Sequence, residues 1–395
     1  MAALVAGMAL TGQTPASEAR AGEAGAHEAR ADEASAGTAP ARADPAGYRV
    51  ETLLRGLDRP WSLAFLPDGR RLLTELPGRL RVIGADGALR PRPVPGLPPI
   101  YTAGQGGLMD VAVDPDFATN GRIFLSYSYG DAGANNTRLA SARLVGDASG
   151  DAALEDVRVL FSADPKPGHS NNGGRIAFLP DGTLVLTLGD GFDRREAAQD
   201  PASALGKIVR LRRDGGVPAD NPFVGRPGHA PAVLSLGHRN VQGVAVDPAD
   251  GALLVSEHGA RGGDEINRVL PGRNYGWPVV TGGLDYTFAR VTPFRALPGY
   301  EAPAWEWTPS IAPAGLAIYD GALFPGWRGD LLVPALAGRA LHRVRRAADG
   351  RILGEEQLLT ELGARLRDVR VAPDGSVQVL TDGPDGRLLR LSPSR

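Results

Sequence analysis

The sequence predicts an all-β protein, and three observations carry that expectation. First, 53 glycines and 33 prolines stand among 395 residues, about a fifth of the chain against a usual share of roughly 12%. Chain breakers at that density exclude a helical bundle, a coiled coil and a helical solenoid. The glycines show no period of three, which excludes collagen. Second, apolar residues make up 43% of the chain, enough to fill a core and to exclude wholesale disorder. Third, one short unit recurs six times: an apolar strand, a turn built on Asp, Pro or Gly, and a second apolar strand.

The chain opens on a short apolar run, Ala2 to Leu10, too short to span a bilayer. It has the length of the apolar core of a signal peptide but lacks a basic segment before it. From Thr11 to about Ala46 the chain is Ala, Glu, Arg, Gly and Pro with few large apolar residues, the composition of a flexible linker. Residues 1–47 are therefore expected to lie outside the fold, and 48–395 to form one domain.

The repeated unit first reads Ser62-Leu-Ala-Phe-Leu-Pro-Asp-Gly followed by Arg-Leu-Leu-Thr. It returns at Asp110, Arg175, Gly243, Gly315 and Asp368, at spacings of 48, 65, 68, 72 and 53 residues. Pro presets the turn and Gly or Asp takes its tight positions, so each unit reads as a hairpin. The spacing leaves room for two more strands per unit. Six such units predict a six-bladed β-propeller with four-stranded antiparallel blades. A β-sandwich gives no reason for one hairpin to repeat six times. The long loops between units, gathered at one mouth of the ring, are where a site is expected.

Charge and composition narrow the partners. There are 43 basic and 45 acidic residues, a net charge of -2, so nothing points to nucleic acid or to an anionic membrane. Cys is absent, which excludes disulfides, zinc thiolates and thiol nucleophiles. Lys166 and Lys207 are the two lysines, and Arg carries the remaining positive charge.

Several stretches resemble one family. They are Gly104-Gln-Gly-Gly-Leu-Met-Asp, Gly206-Lys-Ile-Val-Arg-Leu, Gly237-His-Arg-Asn-Val-Gln-Gly, Glu257-His-Gly-Ala-Arg-Gly-Gly-Asp-Glu-Ile-Asn, Asn274-Tyr-Gly-Trp-Pro and Arg365-Leu-Arg-Asp-Val. Each is weak alone. In this order, on six hairpins, the region from Tyr48 to Ser394 resembles the soluble pyrroloquinoline-quinone (PQQ) dependent aldose sugar dehydrogenases, the glucose/sorbosone dehydrogenase family. The resemblance implies a six-bladed propeller, as the repeats do. It also implies PQQ and calcium as cofactors, an aldose substrate, a soluble or membrane-linked electron acceptor, and a periplasmic or secreted address.

It further implies roles for residues. His169 matches the base that takes the anomeric proton, a task suited to imidazole, and Asp190 matches the carboxylate that orients it. In the family pattern the His sits two residues before a Gly-Gly pair. Here His169-Ser-Asn-Asn-Gly-Gly places it four before. Either the loop carries two extra residues, or Asn171 holds the usual His position, and an amide cannot accept the proton. The alternative for His169 is an ordinary surface-loop imidazole. Arg239, Arg365 and Arg367 match positions that bind the cofactor's carboxylates, and Arg suits them through paired hydrogen bonds. Gln105 and Asn240 match polar contacts to its rings. The family usually has Lys where Ala337 stands, and Arg339 is a neighbouring cation. For calcium, Gly259 and Ala260 match backbone-carbonyl ligands. Asp264 and Glu265 support that loop, hold a second ion, or form a solvated acidic turn. Trp305, Trp307, Tyr275 and Trp277 are expected in long loops as an aromatic wall, with Trp277 the one that better suits a core role.

These residues imply an enzyme that oxidises aldoses at C1 to the lactone by hydride transfer to calcium-bound PQQ. The second reading is a propeller that keeps the scaffold and binds sugar, quinone or a protein without turnover. A third, a calcium-dependent lactonase, does not suit the Arg-x-Arg pair and the His-Arg-Asn motif. Monomer and homodimer are both compatible with the sequence.

Overall fold

Each repeated unit folds as the hairpin that its turn residues demand. After Ser62 the chain reverses through Leu66-Pro-Asp-Gly, where Gly69 takes φ +86°, a conformation that costs glycine little. Asp68 Oδ1 accepts a hydrogen bond from Arg70 N at 3.0 Å. The same device recurs at Gly182, with φ +81°, where Asp181 Oδ1 accepts from Thr183 N at 2.9 Å.

The structure is a computed structural model, and it describes residues 47–146 and 152–394. The apolar run and linker expected over 1–47 lie, but for the last residue, outside the described residues. The six hairpins are Pro60–Phe65 with Arg71–Glu75, Leu108–Val113 with Arg122–Gly130, and Ile176–Phe178 with Leu184–Leu188. They continue as Val241–Val246 with Leu253–Glu257, Ala317–Ile318 with Leu331–Pro334, and Leu366–Val371 with Val377–Thr381. The first strands of successive hairpins pack side by side, and the sixth packs back against the first. The ring is a six-bladed β-propeller with almost no helix.

Five blades have four antiparallel strands. The first has three, Pro60–Phe65, Arg71–Glu75 and Arg79–Ile83. The chain beyond Ile83 carries Pro91, Pro93, Pro95, Pro98 and Pro99. Proline has no N–H for a ladder, and the outer strand shrinks to a single bridge between Ile83 and Leu89. The last blade takes its outer strand from the opposite end of the chain. Tyr48–Leu57 pairs antiparallel with Gly386–Pro393, Tyr48 opposite Pro393, and so closes the ring.

The blades pack face to face through apolar side chains. Leu72, Val111 and Leu125 are buried together between the first two blades, and Phe124, Leu186 and Val209 between the next two. Each such side chain contributes roughly 1.5–3 kcal/mol. The axis is filled differently, by a cation. Arg175 is fully buried. Its Nη1 lies 2.9 Å from Asp368 Oδ1 and 3.7 Å from Asp110 Oδ1. Its Nε donates to Gln242 O at 2.7 Å and its Nη2 to Ala314 O at 2.6 Å. The guanidinium sits 4.0 Å over the Trp61 ring. Those partners come from each of the other five blades.

Breaking a buried ion pair from one side leaves charges that nothing offsets. Arg175→Met is expected to lower the unfolding free energy by about 3–5 kcal/mol in denaturant melts. Arg268→Met, which removes a half-exposed pair with Asp250, should change it by at most about 1 kcal/mol. Equal effects of the two variants would remove Arg175 from its role at the axis.

Candidate active site

In an antiparallel hairpin the start of the first strand and the end of the second lie at the same end. Residues just before each inner strand, and just after each second strand, therefore gather at one mouth of the ring. Gln105, the segment His169 to Asn172, Arg239 with Asn240, and Arg365 stand in the first position. Asp190, His258 with Gly259 and Ala260, and Asp382 stand in the second. The repeat itself thus assembles the expected site.

A cavity of about 370 Å³ opens there, lined by Arg59, Trp61, Gln105, Asn172, Gln242, His258, Arg365, Arg367 and Asp382, among others. Arg365 Nε lies 2.9 Å from Asp382 Oδ2, and Arg367 Nη2 lies 3.3 Å from Asp382 Oδ1. Burial pushes the Asp382 carboxyl up, but the charges of Arg367 and Arg365 outweigh it and hold the pKa below the usual range. His258 is driven down to about 3 by burial and by Arg239 and Arg367, so its imidazole is neutral. Three arginines against one carboxylate leave the cavity cationic.

Buried polar atoms of two lining residues have no hydrogen-bond partner among the described residues: His258 Nε2 and both amide atoms of Asn172. An unpaired buried polar atom costs about 1–3 kcal/mol, which a ligand rich in oxygen would relieve. A flat tricarboxylate such as PQQ fits the cationic lining and those free atoms. For a metal the donors differ. Among the described residues no group of three His, Asp or Glu side chains converges. A Cβ on Gly259 would stand 2.1 Å from Gly262 O and 2.4 Å from Gly263 O. That turn is rich in carbonyl oxygen, the donor type calcium takes.

Several expectations need correction in detail. Asp190 is buried, and its carboxylate accepts from Asn171 Nδ2, Trp277 Nε1 and Phe192 N, each at 2.8 Å. Burial raises its pKa against those donors. Asn171, not His169, is therefore the side chain that Asp190 orients. The two loop residues did not place the imidazole at the carboxylate, because Asn171 already fills that place. His169 is exposed, and its ring packs on Gly104, where a Cβ would meet it at 2.0 Å. Its carbonyl accepts from Gln105 N at 3.0 Å, and Gln105 Oε1 accepts from Asn171 N at 2.9 Å.

Asn240 Oδ1 accepts from Gly173 N at 3.1 Å, so this oxygen braces the neighbouring loop. Asp264 is also a brace rather than an ion ligand. Its carboxylate accepts from Gly259 N, Ser310 Oγ, Ile311 N and Ala312 N at 2.7–2.8 Å. Glu265 accepts from Asn267 Nδ2 at 2.9 Å, and burial with Glu257 nearby pushes its carboxyl up to about 8. Neither is a solvated turn. Ala337 is exposed, and Arg339 is exposed, with Nη1 3.4 Å from Gly363 O.

The aromatic wall is also redistributed. Trp305–Trp307 is a strand, and Trp307 is buried with Nε1 donating to Glu355 Oε2 at 2.7 Å. Tyr275 lies stacked on His238 with ring centroids 4.7 Å apart. Trp277 is the one of the four that lines a site cavity. A second space of about 370 Å³ is bounded by Trp277, Arg239, Ala260, Phe192 and Tyr286, among others. There Phe192 and Tyr286 stack at 5.8 Å, and Arg239 Nη2 lies 3.3 Å from Tyr286 Oη.

Comparison with known proteins shows the family and the fold. Residues 57–390 match the glucose/sorbosone dehydrogenase family. The chain belongs to that family of oxidoreductases. It is 41% identical to the aldose sugar dehydrogenase YliI of Escherichia coli over 89% of this chain and 94% of that one. The apo crystal structure of the soluble E. coli aldose sugar dehydrogenase superposes with a TM-score of 0.84 at 40% identity, covering 88% of this chain and all of the other. The PQQ-bound aldose sugar dehydrogenase of Streptomyces coelicolor gives 0.72 at 31% identity, covering 89% of this chain and 100% of that one.

Sequence reasoning missed Arg59, Trp61, Gln242, His258, Asp382, Phe192 and Tyr286. For the first five the signal was their position in the repeat, at or beside the ends of the hairpin strands. It also missed that both lysines are buried beneath the site. Lys207 Nζ donates to Ala197 O and Leu205 O at 2.7 and 2.8 Å, and Lys166 packs under Gly191. Burial lowers their pKa values from 10.5 to about 7 and about 8. In the folded state both shed a proton that the unfolded chain keeps, so stability should rise with pH between about 8 and 10.5. Chemical unfolding across that window should show a shallower rise for Lys166→Met than for the parent chain. Identical slopes would mean that Lys166 is not desolvated.

Proposed function

We propose that this member of the family oxidises aldose sugars at the anomeric C1 to the lactone, with PQQ and calcium as cofactors. The cationic cavity carries the reading: Arg365 and Arg367 are held beside Asp382, with unpartnered polar atoms on His258 and Asn172 around it. Arg239, Arg365 and Arg367 bind the carboxylates, while Gln105, Asn172 and His258 meet the ring oxygens and nitrogens. The oxygen-rich turn at Gly259 and Ala260 holds calcium through its carbonyls. When bound, the quinone supplies the acceptor for the hydride leaving C1. The PQQ-bound relative from S. coelicolor supports the cofactor, and the aldose sugar dehydrogenase of E. coli supports the substrate.

His169 accepts the proton of the anomeric hydroxyl. Its ring packs on Gly104, which lines the cavity, and among the described residues Asp190 orients Asn171 instead. Trp277, Phe192 and Tyr286 form the apolar wall for the sugar. The electrons leave to a soluble or membrane-linked acceptor, and the chain works in the periplasm or outside the cell as a monomer or homodimer. No helix among the described residues is long and apolar enough to cross a membrane.

One observation favours a second reading, a binding propeller without turnover. Asp190 orients an amide, and an amide takes no proton. Purified protein with PQQ and calcium should reduce a redox dye when glucose or another aldose is added. No dye reduction, with no bound quinone in the visible spectrum, would end the dehydrogenase reading. Quinone bound without reduction would favour the binding propeller.

Two variants separate the roles. General-base catalysis contributes about 10²–10⁴ in rate. His169→Ala should therefore lower kcat at least about 100-fold, and full activity would take the base away from His169. Asn171→His restores an imidazole beside Asp190 at a position with φ +49°, which His tolerates better than most residues. It should raise kcat by about tenfold or more.

A further inference from the structure

The cavity holds one cation that neither the motifs nor the family match marks. Arg59 stands directly before the first inner strand, at the place in the repeat that Arg365 occupies in the last blade. It lines the same cavity as Arg365 and Arg367. The backbone around it is fixed on both sides. Arg59 N donates to Gly383 O at 2.8 Å, and Arg59 O accepts from Leu76 N at 3.0 Å. Gly383 follows Asp382, the carboxylate shared by Arg365 and Arg367. The first and last blades are therefore joined at the point where these charges meet.

Arg59 is held at φ +47°, a left-handed conformation that costs a non-glycine residue on the order of 1 kcal/mol or more. Its guanidinium is little used within the chain. Its one ion pair among the described residues is with Asp58, at 3.9 Å and half exposed, while Asp58 is held closer, at 2.8 Å, by Arg79. The charged lining is then Arg59, Arg365 and Arg367 against Asp382. Asp382 already occupies the other two arginines in part. Arg59 is the cation left over for a ligand.

We infer that Arg59 is a binding residue for a carboxylate of the anionic cofactor, supplying a positive charge from the first blade. The inference rests on the proposed PQQ function. Arg339, a neighbouring cation in sequence to Ala337, does not line the cavity.

The test is a binding titration of the full chain with PQQ in calcium-containing buffer, read by quenching of tryptophan fluorescence and by the visible spectrum of bound quinone. Arg59→Gln should weaken binding about tenfold, which equals about 1.4 kcal/mol, and should make Kd less dependent on salt. Arg59→Lys should recover part of the loss. The trimethyl ester of PQQ, which lacks the charges, should bind the parent and Arg59→Gln alike. Arg55→Gln, exposed and outside the cavity, should match the parent. A Kd for Arg59→Gln within about twofold of the parent, with the same salt dependence, would overturn the inference and leave the function standing. Failure of the parent chain to bind PQQ would instead overturn the proposed function, and the inference with it.

Discussion

The propeller depends on the charge at its axis. Six hairpins in a ring leave a channel where the inner strands converge, and polar backbone groups face into it. Apolar packing between neighbouring blades does not reach across that space. Arg175 does, with one guanidinium and bonds or contacts to all five other blades. Its partners are themselves anchored. Asp110 accepts from Ile176 N at 2.8 Å, and Asp368 accepts from Leu63 N at 3.1 Å. A buried ion pair adds little net stability over an apolar substitute. Its value here is geometric, because a planar five-donor group sets the angular positions of the blades in a way that interchangeable leucines cannot.

That constraint reaches the candidate site directly. Arg175 Nη2 also lies 3.3 Å from Arg367 O, and Gln242 bonds to Arg175 through its carbonyl and to Arg367 through its side chain. The floor of the cationic cavity is thus the upper face of the axial network. The carbonyl-rich turn at Gly259 is held in the same manner: Asp264 draws four donors inward, and Glu257 binds His238 Nδ1 and Arg239 N, both at 2.8 Å. Side chains that match family positions divide into those that face the cavity and those that brace the loops. Asn240 and Asp264 belong to the second group, although residue type alone suggests ligands.

The residues differ in how plainly they announced themselves. The six hairpins are legible because an apolar strand and a turn built on Asp, Pro or Gly are local properties. Gln105, Arg365 and Arg367 were legible because they lie inside compact motifs. Trp305 and Trp307 read as loop residues in the sequence, since their strand exists only through pairing with Asp264–Ile266. Asn171 was an open alternative, and a distance to Asp190 resolved it. Arg59 carries no motif at all and stands out only once the cavity is formed.

Local chemistry thus specified the all-β class, the number of blades and the mouth where the site lies, because turn residues and strand periodicity act over a few neighbours. The folded chain was needed for everything that depends on closure. The first strand pairs with the last across more than 300 residues, the first blade loses its outer strand to prolines, and Arg59 meets Arg365 and Arg367 across the seam. A linear sequence does not show which distant charges will share one volume of low dielectric, and that sharing sets both the charge of the cavity and the protonation of the groups around it.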